Sequence, residues 1–447
     1  MSREKSEKWR ENSSERQCYK TGTILLMYTI GASIRYWLIF SRYQSIIGNH
    51  IEVSTPLNSW KRVSEGLYLQ SKGINPYEGD LLHEAPIIML LYQTLTRSLN
   101  LPVEIMFLIT DLATAVVLYF VARRYMFQLF TQQEHHKDEY AEDGKEFLLS
   151  GPDFLNSPVF VAAAFLFNPY TIFNCVGLST IVFHNFFLAL FLCFMLYGSV
   201  VLSTLFLAVC TMMSLYPVIL VLPLFLHFLE IYKSKTRGFC VVTLFAATIV
   251  ALKVVSSALT NGDDYMRGVY GFILTVPDLQ PNIGLFWYFF TEMFDHFRDL
   301  FICSFQINAT ILYLVPLSIK FRKDPFLLTV AVLFLVSVFK SYPCLGDVGF
   351  VLSLLPCFIH LFNYSQQGFL VGVIFLITSA LGPILWHLWI YSNSANANFY
   401  FGVTLAFAIA QIFLVTDILF AYLKRQFCLK HGKERKIDGK DALLILE

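Results

Sequence analysis

Apolar runs dominate the chain, and polar residues cluster between them. The runs fall near 22–40, 103–122, 157–174, 179–197, 199–215, 217–232, 239–259, 300–319, 326–341, 346–363, 368–390 and 399–423. A helix needs roughly 20 apolar residues to cross a bilayer core, and most of these runs approach that length. The pattern predicts an all-α polytopic membrane protein with about 12 transmembrane helices. A further run, APIIMLLYQTLTRSL at 85–99, is too short to span comfortably and is followed by Pro102. It reads as a re-entrant or interfacial helix.

Composition agrees. Of 447 residues, 56% are hydrophobic and only 15% charged, against roughly 25% charged in soluble domains. One helical membrane domain fits better than several soluble ones. The net charge of +1 and the lack of a basic stripe predict no nucleic-acid partner. The nine cysteines lie mostly inside apolar runs (Cys175, Cys193, Cys210, Cys240, Cys303, Cys357), without CxxC or Cys/His ligand spacing. They read as buried thiols, with no disulfide framework, no metal site and no cofactor expected. No cleavable signal peptide is evident, because the first twenty residues are charged and Arg35 interrupts the first apolar run.

Orientation follows from Lys and Arg in short loops. Basic clusters occupy the N-terminal tail, Arg123-Arg124, KSKTR at 233–237, KFRK at 320–323, and the tail from Lys424-Arg425 to Lys440. Two, four, two and four apolar runs separate successive clusters, so all five can be cytosolic. The chain then divides into a cytosolic tail at 1–21, a membrane domain at 22–423 and a cytosolic tail at 424–447. Segments 41–102 and 260–299 are lumenal, joined by short loops near 175–178, 342–346 and 391–398. The sequons at Asn12, Asn308 and Asn363 fall outside open lumenal loops, so no glycosylation is expected.

The second lumenal segment holds PDLQPNIGLFWYFFTEMFDHF at 277–297. A helix can begin after Pro281. Rings at headgroup depth with Glu292, Asp295 and His296 facing water suit the membrane interface. The segment is either a packing helix there or one wall of a groove for a lipid substrate. In the last lumenal corner, Trp386, His387, Trp389 and Tyr391 precede Asn393, Asn396 and Asn398. Uncharged amides both donate and accept, so they can bind a glycan or phosphate headgroup above rings that line its tails. Alternatively they cap the helix starting near 399, a role for which Asn398 is well placed.

Ionisable groups inside spans are functional candidates by default: Arg35, Asp111, Lys253, Lys340, Asp347, His184, His387 and Asp417. Arg35 lies near a span end and can snorkel. Lys340 and Asp347 flank the turn KSYPCLGD and can pair across it. Asp111 and Asp417 sit deep and are expected to pair or hydrogen-bond in the bundle interior. No cysteine adjoins a histidine in a polar stretch as a nucleophile requires, and Cys344 comes nearest. The first lumenal loop holds Glu52, Glu65, Glu78, Asp80 and Glu84, but only Glu78-Gly79-Asp80 approximates a metal-binding acid pair.

Six stretches carry a family resemblance: SWKRVSEGL (59–67), NPYEG…HEAPI (75–87), the 277–297 segment, FQIN (305–308), FKSYPCLGD (339–347) and LWHLWIYSNSANANF (385–399). Together they resemble phosphatidylinositol-glycan class U, a family of glycosylphosphatidylinositol (GPI) transamidase subunits, from about residue 50 to the C-terminus. The resemblance implies an endoplasmic reticulum membrane protein without catalytic residues. Its partners would be the other transamidase subunits, including a caspase-like subunit that holds the Cys/His dyad. Its role would be to bind and present the GPI lipid and to scaffold the complex. The lipid contacts expected on this reading are Asn282, Phe286, Trp287, Tyr288, Phe289, Glu292, His296, Trp386, His387, Trp389, Asn393, Asn396 and Asn398. The family is also similar to GPI mannosyltransferases of GT-C architecture, whose first lumenal loop the NPY…AP pattern resembles. A dolichol-phosphate-mannose-using glycosyltransferase therefore stands as an alternative, and the span count leaves a lipid transporter as another, with Asp111 and Asp417 as coupling sites.

Overall fold

The computed structural model describes residues 3–98, 101–142, 144, 147–149, 151–260, 262–432, 436–437 and 440–441, with the backbone alone for 3–20, 98, 436–437 and 440–441. The side chains of the basic N-terminal tail, the Asn12 sequon and most of the tail beyond Gly432 lie outside that description. The regular secondary structure of the described residues is helical apart from a two-residue antiparallel pairing of Lys436–Ile437 with Lys440–Asp441 and a single Ser59–Ser179 bridge.

Every predicted apolar run corresponds to a helix, but not every helix is long enough to span. Among the described residues, six are long and apolar enough to cross a membrane: Thr21–Ile39, Val103–His135, Lys235–Thr260, Asp295–Lys320, Gly368–Ile390 and Ala397–His431. Two bent pairs, Gly151–Leu166 with Pro169–Val176 (48°) and Leu345–Ser353 with Leu355–Tyr364 (64°), raise the number to eight if each is one span. Four further apolar helices have 17 residues or fewer (Ile181–Tyr197, Val200–Met213, Tyr216–Tyr232 and Pro325–Phe339).

The bends have local causes. Asn168 accepts from the Tyr170 N–H and caps a new helix whose first residue is Pro169, so the preceding helix cannot continue. At the second bend Pro356 occupies the first turn of a 3₁₀ segment. The 85–99 run forms the Pro86–Ser98 helix of 13 residues, about 20 Å at 1.5 Å per residue, which is too short to span. It buries Ile88, Met89 and Tyr92 and packs against Lys235–Thr260.

Two helices overrun their predicted ends. Val103–His135 has 33 residues and Ala397–His431 has 35, so the regions assigned to loop from 123 and to tail from 424 begin as helix. Apolarity marks where a chain leaves the bilayer. It does not mark where the helix stops.

The main core lies where Val103–His135 packs on Gly151–Leu166 and Ile181–Tyr197, closed by Pro325–Phe339 and Ala397–His431. The bundle has two polar ends. At one, Leu345 N–H donates to the Glu52 carbonyl (2.9 Å), the Tyr342 hydroxyl to the Asp278 carbonyl (2.9 Å) and the Thr180 hydroxyl to Glu84 (2.9 Å). At the other, the Tyr125 hydroxyl donates to Asp324 (2.9 Å), and Arg425 to Gln133 (3.4 Å). Ala397–His431 runs from the first end to the second. The predicted lumenal loops thus meet at one end and the basic loops at the other.

Candidate functional site

The two ring-rich stretches meet at the first end. A helix forms over Phe286–Glu292, later than Pro281 permits. The delay has a cause: the Asn282 side chain accepts from the Gly284 N–H at 2.7 Å, a turn that holds 282–284 out of the helix. A Cβ on Gly284 would stand 2.6 Å from Pro343, so the turn is also pressed against the 340–347 loop. Trp287 stacks on Trp389 (centroids 6.2 Å, 23°) and contacts Tyr400 at 6.1 Å. Trp386 packs on Trp389 and Tyr400 at 5.4 and 5.5 Å. Tyr288 stacks on Phe401 at 4.3 Å, and its hydroxyl donates to Asn398 Oδ1 at 2.5 Å. The Trp287 indole N–H is buried and has no acceptor among the described residues.

The remaining candidates divide. Asn396, and not Asn398, caps the last helix, accepting from the Asn398 and Phe399 N–H groups at 3.1 and 3.4 Å. Asn393 is exposed at φ +51°, a left-handed position that asparagine tolerates better than most residues. His387 is exposed and stacks on Tyr391 at 5.2 Å. Phe286 and Phe289 turn away from the tryptophans and pack on Phe305 at 5.1 and 4.8 Å. Glu292 and His296 are exposed, and the nearest rings to His296 are Phe294 and Phe297, so neither is drawn into the aromatic cluster. Asn282 is 1% exposed and committed to its own turn.

Beneath the cluster lies a cleft of about 790 Å³. Its walls are apolar (Tyr170, Phe173, Phe375, Leu376, Val403, Phe407), and it runs between Pro169–Val176, Gly368–Ile390 and Ala397–His431. Glu52 and His50 stand at its polar end. Glu52 is 8% exposed and accepts from the Tyr400 hydroxyl at 3.2 Å, which ties the cleft to the ring cluster above. Burial raises the Glu52 carboxyl to about 7, against a smaller lowering by the Tyr400 bond. Burial also lowers the His50 imidazole. A Cβ on Gly382 would stand 2.6 Å from Glu52 Oε1, so the glycine makes room for the carboxyl. Sequence reasoning counted Glu52 among loop acids but did not single it out. Its flanks, Ile51 and Val53, were the available sign of burial.

The intramembrane polar groups find protein partners. Arg35 does not snorkel: it is fully buried, bonded through Nε to Asp111 at 2.6 Å and through Nη1 to the Leu166 carbonyl at 2.7 Å. The reason is the bend after Leu166, where the first helix ends and leaves a carbonyl that needs a donor. Lys340 and Asp347 pair at 2.6 Å across their turn, as expected. Lys253 reaches out of its helix to Asp263 at 3.0 Å. Asp417 is hydrogen-bonded as expected, but at a helix end and not at mid-depth. It accepts from the Ser365 hydroxyl and from the N–H groups of Gln366 and Gln367 at 2.9 and 3.1 Å.

Two residues weighed for chemistry in the sequence, Cys344 and Glu84, are both buried. Burial pushes the Cys344 thiol up, away from thiolate. Glu84 is 4% exposed, and burial raises its carboxyl to about 8. It borders a cavity of only about 30 Å³, room for one water and not for a sugar.

A family profile described as "GPI transamidase subunit PIG-U" matches residues 29–407. The chain belongs to the PIG-U family. It is 39% identical to the GPI-anchor transamidase component PIGU of Cricetulus griseus over 436 residues, 95% of this chain and 99% of that protein. Identity to the Homo sapiens component of the same name is 38% over the same spans. The GPI transamidase component GAB1 of Saccharomyces cerevisiae is 28% identical over 390 residues, 87% of this chain and 91% of that one. The similarity to the two PIGU proteins extends over nearly their whole length.

Proposed function

We propose that this chain is the subunit of the GPI transamidase complex that binds and presents the GPI lipid while another subunit performs the chemistry. The observation that carries the reading is the 790 Å³ apolar cleft opening beneath the amide-bearing ring cluster. That volume lies within the roughly 300–1,000 Å³ usual for ligand pockets. Acyl chains would occupy the cleft. Glu52 and the exposed amides of Asn393 and Asn398 would meet the phosphoinositol and glycan. The phosphoethanolamine amine would then be held near the thioester of a caspase-like subunit, and orientation would supply the rate gain.

The reading takes twelve spans, in a GT-C-like scaffold adapted to binding: the six long helices, the two bent pairs and the four shorter apolar helices. Both termini are cytosolic and the cleft's polar end faces the lumen of the endoplasmic reticulum. The scaffolding role is supported by Asp295–Lys320, Lys235–Thr260 and Gly368–Ile390, which bury only 11%, 17% and 17% of their apolar windows within the chain. Those faces are left for lipid or for other subunits.

Gly372 offers a clean test. It lines the cleft, and a Cβ there meets nothing within 4 Å. Gly372→Trp should fill the space without straining the fold. The expected result is a complex of normal composition that retains several-fold less GPI, measured by mass spectrometry of extracted lipid. Undiminished GPI in the Gly372→Trp complex would place the lipid elsewhere.

A further inference from the structure

A second cavity lies at the opposite end of the bundle, and its lining includes Arg124 and Lys323. It measures about 420 Å³ and shares no lining residue with the first cleft. It lies among the C-terminal third of Val103–His135, the Val221–Tyr232 helix and the turn before Pro325–Phe339. Arg124, Lys323, His135, His136 and His227 all line it.

Arg124 and Lys323 are largely unspent. Among the described residues, Arg124 hydrogen-bonds only through Nε, donating to the Leu196 carbonyl at 3.2 Å. Its guanidinium is steadied over the Phe127 and Tyr197 rings at 5.7 and 5.3 Å. The two terminal nitrogens, the fork that suits a phosphate, meet no acceptor among the described residues. His227 is 7% exposed, and its Nε2 has no partner among the described residues. Lys323 is exposed and forms no ion pair among them. The two acids in the lining are engaged: Glu230 pairs with Lys233, and Asp324 accepts from the Tyr125 hydroxyl at 2.9 Å and the Leu327 N–H at 3.0 Å.

We infer that this cavity binds a phosphate-bearing anion, gripped by Arg124 and Lys323. Phe127, Leu129, Ile231 and Phe326 also line it. Such a mixture of basic and apolar surface suits the headgroup and first methylenes of an acidic phospholipid. Basic loops mark this end as cytosolic, the side where a membrane presents its anionic lipids. A soluble phosphate ester would satisfy the same polar groups without needing the apolar ones.

The test uses the assembled transamidase in phosphatidylcholine nanodiscs. One arm adds phosphatidylserine or phosphatidylinositol 4-phosphate to the bilayer, and the other adds inorganic phosphate or inositol phosphate to the buffer. Native mass spectrometry reads retained ligand. Arg124→Gln combined with Lys323→Gln should weaken retention by about thirtyfold, two basic contacts' worth. Arg124→Lys should restore it only in part, since a lysine lacks the fork. Retention confined to the bilayer arm identifies a lipid headgroup; retention in the buffer arm identifies a soluble ester. Retention indifferent to both substitutions, or equal for phosphatidylcholine alone, overturns the inference. If the double variant does not assemble, Lys323→Gln alone gives the same reading with a smaller loss, because that side chain is exposed. The GPI cleft is untouched by all of these changes, so GPI content serves as an internal control.

Discussion

Glu52 shows how one side chain can join two surfaces. Its backbone carbonyl holds Leu345, its carboxyl accepts from Tyr400, and it faces an apolar cleft. A carboxylate there is costly, and burial lifts its folded value from 4.5 to about 7. The folded state therefore binds a proton that the unfolded state has released. Its contribution is greatest below pH 4.5 and is lost as pH rises toward 7. Glu84 acts likewise, with the loss extending to about 8. Half-buried His50 and buried His83 run the other way, because desolvation lowers them below 6.5 and so favours folding as pH rises. The effect is best read as a difference. Glu52→Gln keeps an acceptor for Tyr400 but cannot ionise. Between pH 5.5 and 8.5, melting temperature in detergent should fall less for Glu52→Gln than for the native chain. Parallel pH profiles would mean that water reaches the carboxyl. The sequence displayed Glu52 only as one acid among five in a loop. Its burial depends on Gly382 and Tyr400, over 300 positions away, which no local pattern reveals.

Helices were legible wherever apolar residues were consecutive, and their ends were legible only where a cap was local. Asn168-Pro169 and Asp324-Pro325 mark starts within the sequence itself. The start of Gly368–Ile390 has no such mark. Its cap comes from Asp417, on the following helix, which accepts from Ser365, Gln366 and Gln367. A charge that seems stranded in an apolar run is thus a cap supplied across the bundle. Asp417→Ala should cost about 1–2 kcal/mol, typical for a lost cap, more if the carboxyl's neighbours stay dry. Hydrogen exchange should quicken at 366–371 and not at the far end of that helix. Uniform quickening along both helices would show that Asp417 supports packing instead. Arg35 and Asp111 teach the same lesson: each was expected to find its own solution, and each is the other's.

At the scale of the molecule, the sequence announced twelve apolar runs, because these depend on composition summed over many residues. It could not tell which rings would touch. Trp287 meets Trp389 across about a hundred residues of chain, while Phe286, one position earlier, packs elsewhere. The sharing-out follows from a single helical turn that begins five residues after Pro281 because Asn282 closes its own loop. The fold thereby requires the 277–297 and 385–399 segments to lie at one end and the 123–136 and 320–324 segments at the other. Cysteines introduced one at a time at Asp295, Asn393, His136 and Lys323 test this in sealed microsomes, since all four native side chains are exposed. An impermeant maleimide should label His136→Cys and Lys323→Cys at once, and Asp295→Cys and Asn393→Cys only after the membrane is opened. Labelling that separates Asp295→Cys from Asn393→Cys would divide the ring cluster between two compartments. A glycolipid headgroup could not then be shared between its two walls, because the stacked tryptophans that define the rim can exist only if both segments emerge on the same face.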